Sequence, residues 1–198
     1  MRRDTARKTA LLSLLVVLWA HQAEAHILPG QATGFLSGVL HPISGLDHIL
    51  AMVSVGLWGA ELGAPAIWIL PVTFPMMMAF GGLLGFLGVP LPGTEIGIAL
   101  SMVVLGVAVA MAWRPPLPVV MAIVAVFAVF HGHAHGTELP GGESALLYSL
   151  GFVVATGFLH LVGIATGLIY RWGWGQSALR LAGSGVSLAG VLFLVGVL

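Results

Sequence analysis

Residues 34–59 read GFLSGVLHPISGLDHILAMVSVGLWG, and this stretch decides the fold. It is apolar for longer than the roughly 20 residues a helix needs to cross a bilayer. Yet it contains His41, Asp47 and His48, together with Pro42, which lacks a helical donor. Ionisable side chains at membrane depth are costly and line interior paths, so they mark a functional site. On an unbroken helix His41, Gly45 and His48 follow i, i+4, i+7 spacing and share one stripe, with Asp47 beside it. Two imidazoles and a carboxylate suit a first-row divalent ion such as Ni²⁺, Co²⁺ or Zn²⁺. Pro42 and Gly45 predict a bend or thinning of the helix here, freeing backbone oxygens. The plainer reading, histidines bonding neighbouring backbones, suits one buried histidine better than two beside an aspartate.

Composition agrees with a membrane location. Of 198 residues, 59% are apolar and 7% charged, where a soluble domain carries roughly 25% charged residues. With a mean hydropathy of +1.06, this is the signature of an all-α integral membrane protein. Cysteine is absent, which excludes disulfides and thiolate sites. No basic patch in the body of the chain suits nucleic acid. The 28 glycines predict closely packed helices.

Arg2, Arg3, Arg7 and Lys8, an apolar core from Leu11 to Ala20, and Ala23-Glu24-Ala25 predict a cleavable signal peptide over 1–25. The mature domain is then 26–198. His26 becomes its first residue, and the free amine and ring form a chelating pair facing outward. Six apolar stretches follow, at 34–60, 65–89, 95–113, 117–136, 144–170 and 178–198. They predict a polytopic bundle of six transmembrane helices, the second kinked by Pro71 and Pro75. Arg114, Arg171 and Arg180 fall in the 3–4 and 5–6 loops and their helix ends. By the positive-inside rule those loops are cytoplasmic, and both mature termini are periplasmic. Glu95, Glu138 and Glu143 fall on the outer side.

The fourth stretch closes on Phe130-His131-Gly132-His133-Ala134-His135-Gly136-Thr137-Glu138. His131 and His135 are i, i+4 and face together, with Glu138 next on the stripe. Such a pair can chelate a metal, because both rings project from one face. His133 points elsewhere unless the glycines unwind the turn. The plainer reading is a wet, histidine-rich helix end at the headgroups. His160, alone in the fifth stretch, is read as a helix–helix hydrogen bond or as a further ligand. Met76-Met77-Met78 is read as core or lipid packing. Gly81-x-x-x-Gly85 and Gly163-x-x-x-Gly167 are packing motifs.

Counting about 1.5 Å per residue along straight helices predicts two tiers. The outer tier is His41, His131 and His135, with His133 and Glu138; the inner is Asp47 and His48, with His160. The first and fourth stretches are expected to be neighbours, with His41 facing His131 or His135 across a polar cavity open to the periplasm.

His-Pro-x-x-Gly-x-Asp-His at 41–48 resembles the HupE/UreJ family of hydrogenase and urease accessory membrane proteins. His131-Gly132 through His135-Gly136-Thr137-Glu138 is similar to that family's second motif, and the likeness covers the whole chain. It implies a permease rather than an enzyme, with no permanent cofactor. Its cargo would be nickel, or cobalt, taken up through a bacterial inner membrane and linked indirectly to the maturation of nickel enzymes. The separate nickel–cobalt permeases have four residues between His and Asp-His; here five separate His41 from Asp47. That turns His41 by about 100° on an ideal helix. The opposing class is an intramembrane zinc-dependent hydrolase or hydroxylase, with Asp47 or Glu138 assisting a metal-bound water. Small-residue stripes serve monomers and homo-oligomers alike.

Overall fold

The computed structural model describes residues 34–138 and 144–197. Residues 1–25, His26 and Glu143 lie outside them. The described elements are α1 (Phe35–Ser44), α2 (Leu46–Leu62), α3 (Ala66–Phe86), α4 (Thr94–Ala110), α5 (Leu117–Thr137), α6 (Ala145–Gly167), a 3₁₀ turn (Leu168–Arg171) and α7 (Gly173–Leu194). No strand occurs among the described residues.

The first apolar stretch is two helices, not one. α1 and α2 meet at an 85° bend, and the stripe drawn along an unbroken helix does not exist. Pro42 cannot donate to the Gly38 carbonyl, and Gly45 leaves the helix in an extended conformation (φ −93°, ψ 121°). Ser44 Oγ donates to the His41 carbonyl (2.8 Å), satisfying one of the acceptors the break exposes. In the second stretch, Pro71 and Pro75 are absorbed within one 21-residue helix, α3. α7 begins at Gly173, ahead of the 178 expected, and Gly175 in its first turn packs its bare Cα against the Ile169 backbone.

α3, α5, α6 with its 3₁₀ extension, and α7 are each long and apolar enough to cross a bilayer. α1 and α2 meet that test only as a bent pair, and α4 is shorter, at 17 residues. Trp68, Val72, Met76 and Phe80 line one side of α3 and are at least half exposed, as a lipid-facing stripe requires. Met76 lies on that stripe while Met78 is buried, so the methionine run divides between lipid and core. The chain is an all-helical membrane protein.

α2 is the central helix: Ala51, Met52, Val55 and Trp58 are fully buried, and it packs on α3, α4, α6 and α7. Four glycine seams bring backbones together, and Gly38 and Gly151 make the one between α1 and α6. Gly81, Gly85, Gly132 and Gly136 join α3 to α5, which run parallel; Gly56 and Gly163 join α2 to α6, also parallel. Gly106, Gly183 and Gly190 join α4 to α7 in antiparallel orientation. Both G-x-x-x-G motifs are therefore helix contacts, since a Cβ at any of these positions would meet backbone atoms.

Candidate metal centre

The sequence His-Gly-His-Ala-His-Gly on α5 sorts by helical angle. At 100° per residue, His131 and His135 differ by about 40°, Gly132 and Gly136 lie about 100° further round, and His133 lies beyond them. The glycine face is pressed onto α3, against the backbones of Met78 and Gly82. That seam turns His131 and His135 away from α3 and fixes their height. His133 is directed to the α3–α4 loop, where its Nε2 is 2.7 Å from the Val89 carbonyl and its Nδ1 is 3.4 Å from Thr94 Oγ1.

Four imidazoles converge from α1, α2 and α5. Ring centroids are 4.6 Å apart for His41 and His135, 4.5 Å for His48 and His135, and 5.4 Å for His48 and His131. His41 and His48 are 6.1 Å apart. His131 is fully buried, and His41 and His135 are 6% exposed. The α1 and α5 backbones barely touch, so the rings themselves bridge the space between them. The expected pairing of His41 with His135 is present, but the two tiers are one cluster. The tiers came from counting residues down a straight helix; the bend at Gly45 carries α1 across the bundle and brings His41 to His48.

Hydrogen bonds fix two of the ring tautomers. His131 Nδ1 is 2.9 Å from the Phe127 carbonyl, which can only accept, so Nδ1 carries the proton and Nε2 keeps its lone pair. His48 Nδ1 donates to Asp47 Oδ1 (2.7 Å), again leaving Nε2 as the lone-pair nitrogen. Neither Nε2 has a hydrogen-bond partner, nor does either nitrogen of His135. Asp47 Oδ1 also accepts the His48 backbone N–H (2.9 Å). Asp47 thus orients His48, in the manner of the carboxylates that support histidine ligands from outside the coordination sphere. Gly45 leaves room for this pair: a Cβ there would lie 2.7 Å from both Asp47 Oδ1 and His48 Nδ1.

Glu138 caps α5 and brings a carboxylate oxygen to 3.8 Å from His41 Nε2. One donor atom each from His41, His135 and Glu138 lie within 4.8 Å of one another. Two donors on one ion are at most about 4.2 Å apart for bonds near 2.1 Å, so a small contraction would close this set on a metal. Beside the cluster runs a mostly apolar groove of about 370 Å³ between α3, α5 and α6, lined by Met78, Leu83, Phe86 and Phe152, with His135, Tyr148 and Ser149 as polar points.

His160 stands apart from the cluster. The Phe74 ring lies between it and His131, at 5.3 and 5.6 Å. The sequence offered no signal for Phe74, nor for Phe152, whose ring is 4.4 Å from that of His135. Glu61 was also missed, at the edge of an apolar stretch. It is 4% exposed, in the field of Arg114 and Arg180, and proximity to the loop arginines was the available hint.

A family model described as HupE / UreJ protein matches residues 14–193. The chain belongs to the HupE/UreJ family. It is similar to "Protein HupE" of Rhizobium leguminosarum bv. viciae, with 46% identity over 188 residues, covering 95% of this chain and 96% of that protein. No solved structure matches. The matched range takes in both histidine motifs.

Proposed function

We propose that this HupE/UreJ protein carries Ni²⁺, with Co²⁺ as a second cargo, inward across a bacterial inner membrane, as a permease supplying metal to nickel-enzyme maturation. One observation supports this above the rest: four imidazoles, three buried and His48 partly so, meet at membrane depth, with the lone pairs of His48 and His131 unpartnered. Imidazole suits nickel and cobalt, and exchangeable binding suits a carrier. In this reading His41, His48, His131 and His135 are the ligands, and Asp47 positions His48. Glu138, whose side chain is 57% exposed, receives the ion at the mouth. His133 holds the α3–α4 loop. The six spans count α1 and α2 as one broken helix and α4 as a short one. Arg114, Arg171 and Arg180 then face the cytoplasm and both mature termini the periplasm, after removal of residues 1–25. His26 would offer its amine and ring as a first capture point.

Uptake of radioactive nickel into proteoliposomes tests the reading. The expected result is saturable uptake, inhibited by cobalt and lost in His135→Ala. No uptake by the unaltered chain would overturn it. Zinc retained through purification, with turnover of lipid, would instead favour the metalloenzyme class.

A further inference from the structure

We propose that His160 and Thr156 on α6, with the Pro71 carbonyl on α3, form a second and deeper station for a divalent cation, beyond the Phe74 ring. This rests on the transport reading above and adds an inner stop to it. The first motivation is an unusual hydroxyl. Thr73 and Thr166 bond the carbonyl four residues back, at 2.9 and 2.8 Å, as hydroxyls in helices usually do. Thr156, fully buried, makes no such bond, and its Oγ1 has no partner. One helical turn further, His160 is 1% exposed, and neither ring nitrogen meets a partner in hydrogen-bond geometry. Residues four apart on a helix share a face, so the two groups stand one above the other.

The third donor comes from the opposite helix. Pro75 has no N–H, so the Pro71 carbonyl four residues earlier loses its helical donor. Phe74, three residues further along α3, has its ring 5.3 Å from that of His160, which sets this part of α3 against the imidazole. Burying unpartnered polar atoms is unfavourable, and the Thr156 hydroxyl and the His160 ring, beside a carbonyl short of its helical donor, are accounted for together if an ion visits them. The set is one imidazole nitrogen and two neutral oxygens, with no carboxylate. It would hold a divalent ion more weakly than the four-imidazole cluster, as an inner stop requires if the ion is to leave. It lies further in: His160 follows Phe152, which touches His135, by about 12 Å along α6.

The test is titration of the purified full-length chain in detergent with Co²⁺, counting bound ions, alongside nickel uptake in proteoliposomes. The expected stoichiometry is two ions per chain, falling to one in His160→Asn. His160→Asn and Thr156→Val should lower the maximum uptake rate about tenfold or more, with half-saturation unchanged. Asparagine can still donate to the Pro71 carbonyl, so undiminished transport by His160→Asn would reduce His160 to a helix–helix contact and overturn the proposal. One ion per unaltered chain, with normal uptake, would overturn it while leaving the transport reading intact. No binding and no uptake by the unaltered chain would defeat both.

Discussion

Gly45→Ala separates the site from the fold. The Gly45 backbone (φ −93°, ψ 121°) is open to alanine, so the chain can keep its path. The new Cβ, however, would sit 2.7 Å from Asp47 Oδ1 and from His48 Nδ1, where ordinary contact begins at 3.4 Å. The two atoms must retreat by about 0.7 Å, and both are side-chain termini that can do so without moving a helix. A metal site holds its ligand distances to about 0.2 Å, so a displacement of that size removes His48 Nε2 from its place. Loss of a supporting partner typically lowers metal affinity about 10- to 100-fold, or roughly 1.4 to 2.7 kcal/mol. Equilibrium dialysis against Ni²⁺ measures the affinity, and thermal unfolding in detergent measures the fold. The expected outcome is weakened binding with thermal stability near that of the unaltered chain. Unchanged affinity in the folded variant would refute the idea that Asp47 acts by holding His48.

Asp47→Asn keeps an acceptor for His48 Nδ1 but loses the charge, so uptake is expected to fall less than in Asp47→Ala; equal losses would point to direct ligation. Gly132→Ala presses a Cβ onto the Met78 backbone and is expected to destabilise the α3–α5 seam by about 1–3 kcal/mol. Gly157→Ala, with nothing within 4 Å, should leave the melting temperature unchanged or slightly raised, and the pair can be compared by thermal unfolding. Nickel loading requires unprotonated imidazoles, so affinity is expected to decline as pH falls into the acid range and to level off toward neutral pH. Titration at fixed ionic strength between pH 5 and 8 checks the sign. His133→Asn should impair stability more than nickel affinity, because His133 reaches the Val89 carbonyl rather than the cluster.

The parts legible in the sequence were those carried by local period and composition. His131 and His135 share a face because they are four residues apart on a helix that continues through them. The glycine pairs Gly81/Gly85 and Gly163/Gly167 mark seams because their spacing matches one turn. The bend that Pro42 and Gly45 predict is present, but its size, 85°, was not legible, and the count along a straight helix ignored it. With that count went the stripe joining His41 to His48 and the separation into two depths. A carboxylate beside a histidine looks the same in sequence whether it binds the metal or the ring, so the 2.7 Å contact of Asp47 Oδ1 with His48 Nδ1 was not legible there. Phe74, Phe152 and Glu61 depend on which helices meet, and an apolar or terminal position carries no sign of that.

The bend at Gly45 has an electrical consequence. With α2 upright in the proposed orientation, His48 lies near its outer end, and 14 residues, about 21 Å of helix, run from there to Leu62. That is roughly two-thirds of a hydrocarbon core about 30 Å thick. Most of the transmembrane voltage therefore drops inward of the cluster rather than before it. A divalent ion leaving the site would gain about 3 kcal/mol for each 100 mV of interior-negative potential, whereas reaching the site gains about half as much. Membrane potential then acts on both steps but more on passage: each 100 mV would raise affinity from outside about tenfold and favour delivery inward by roughly the square of that.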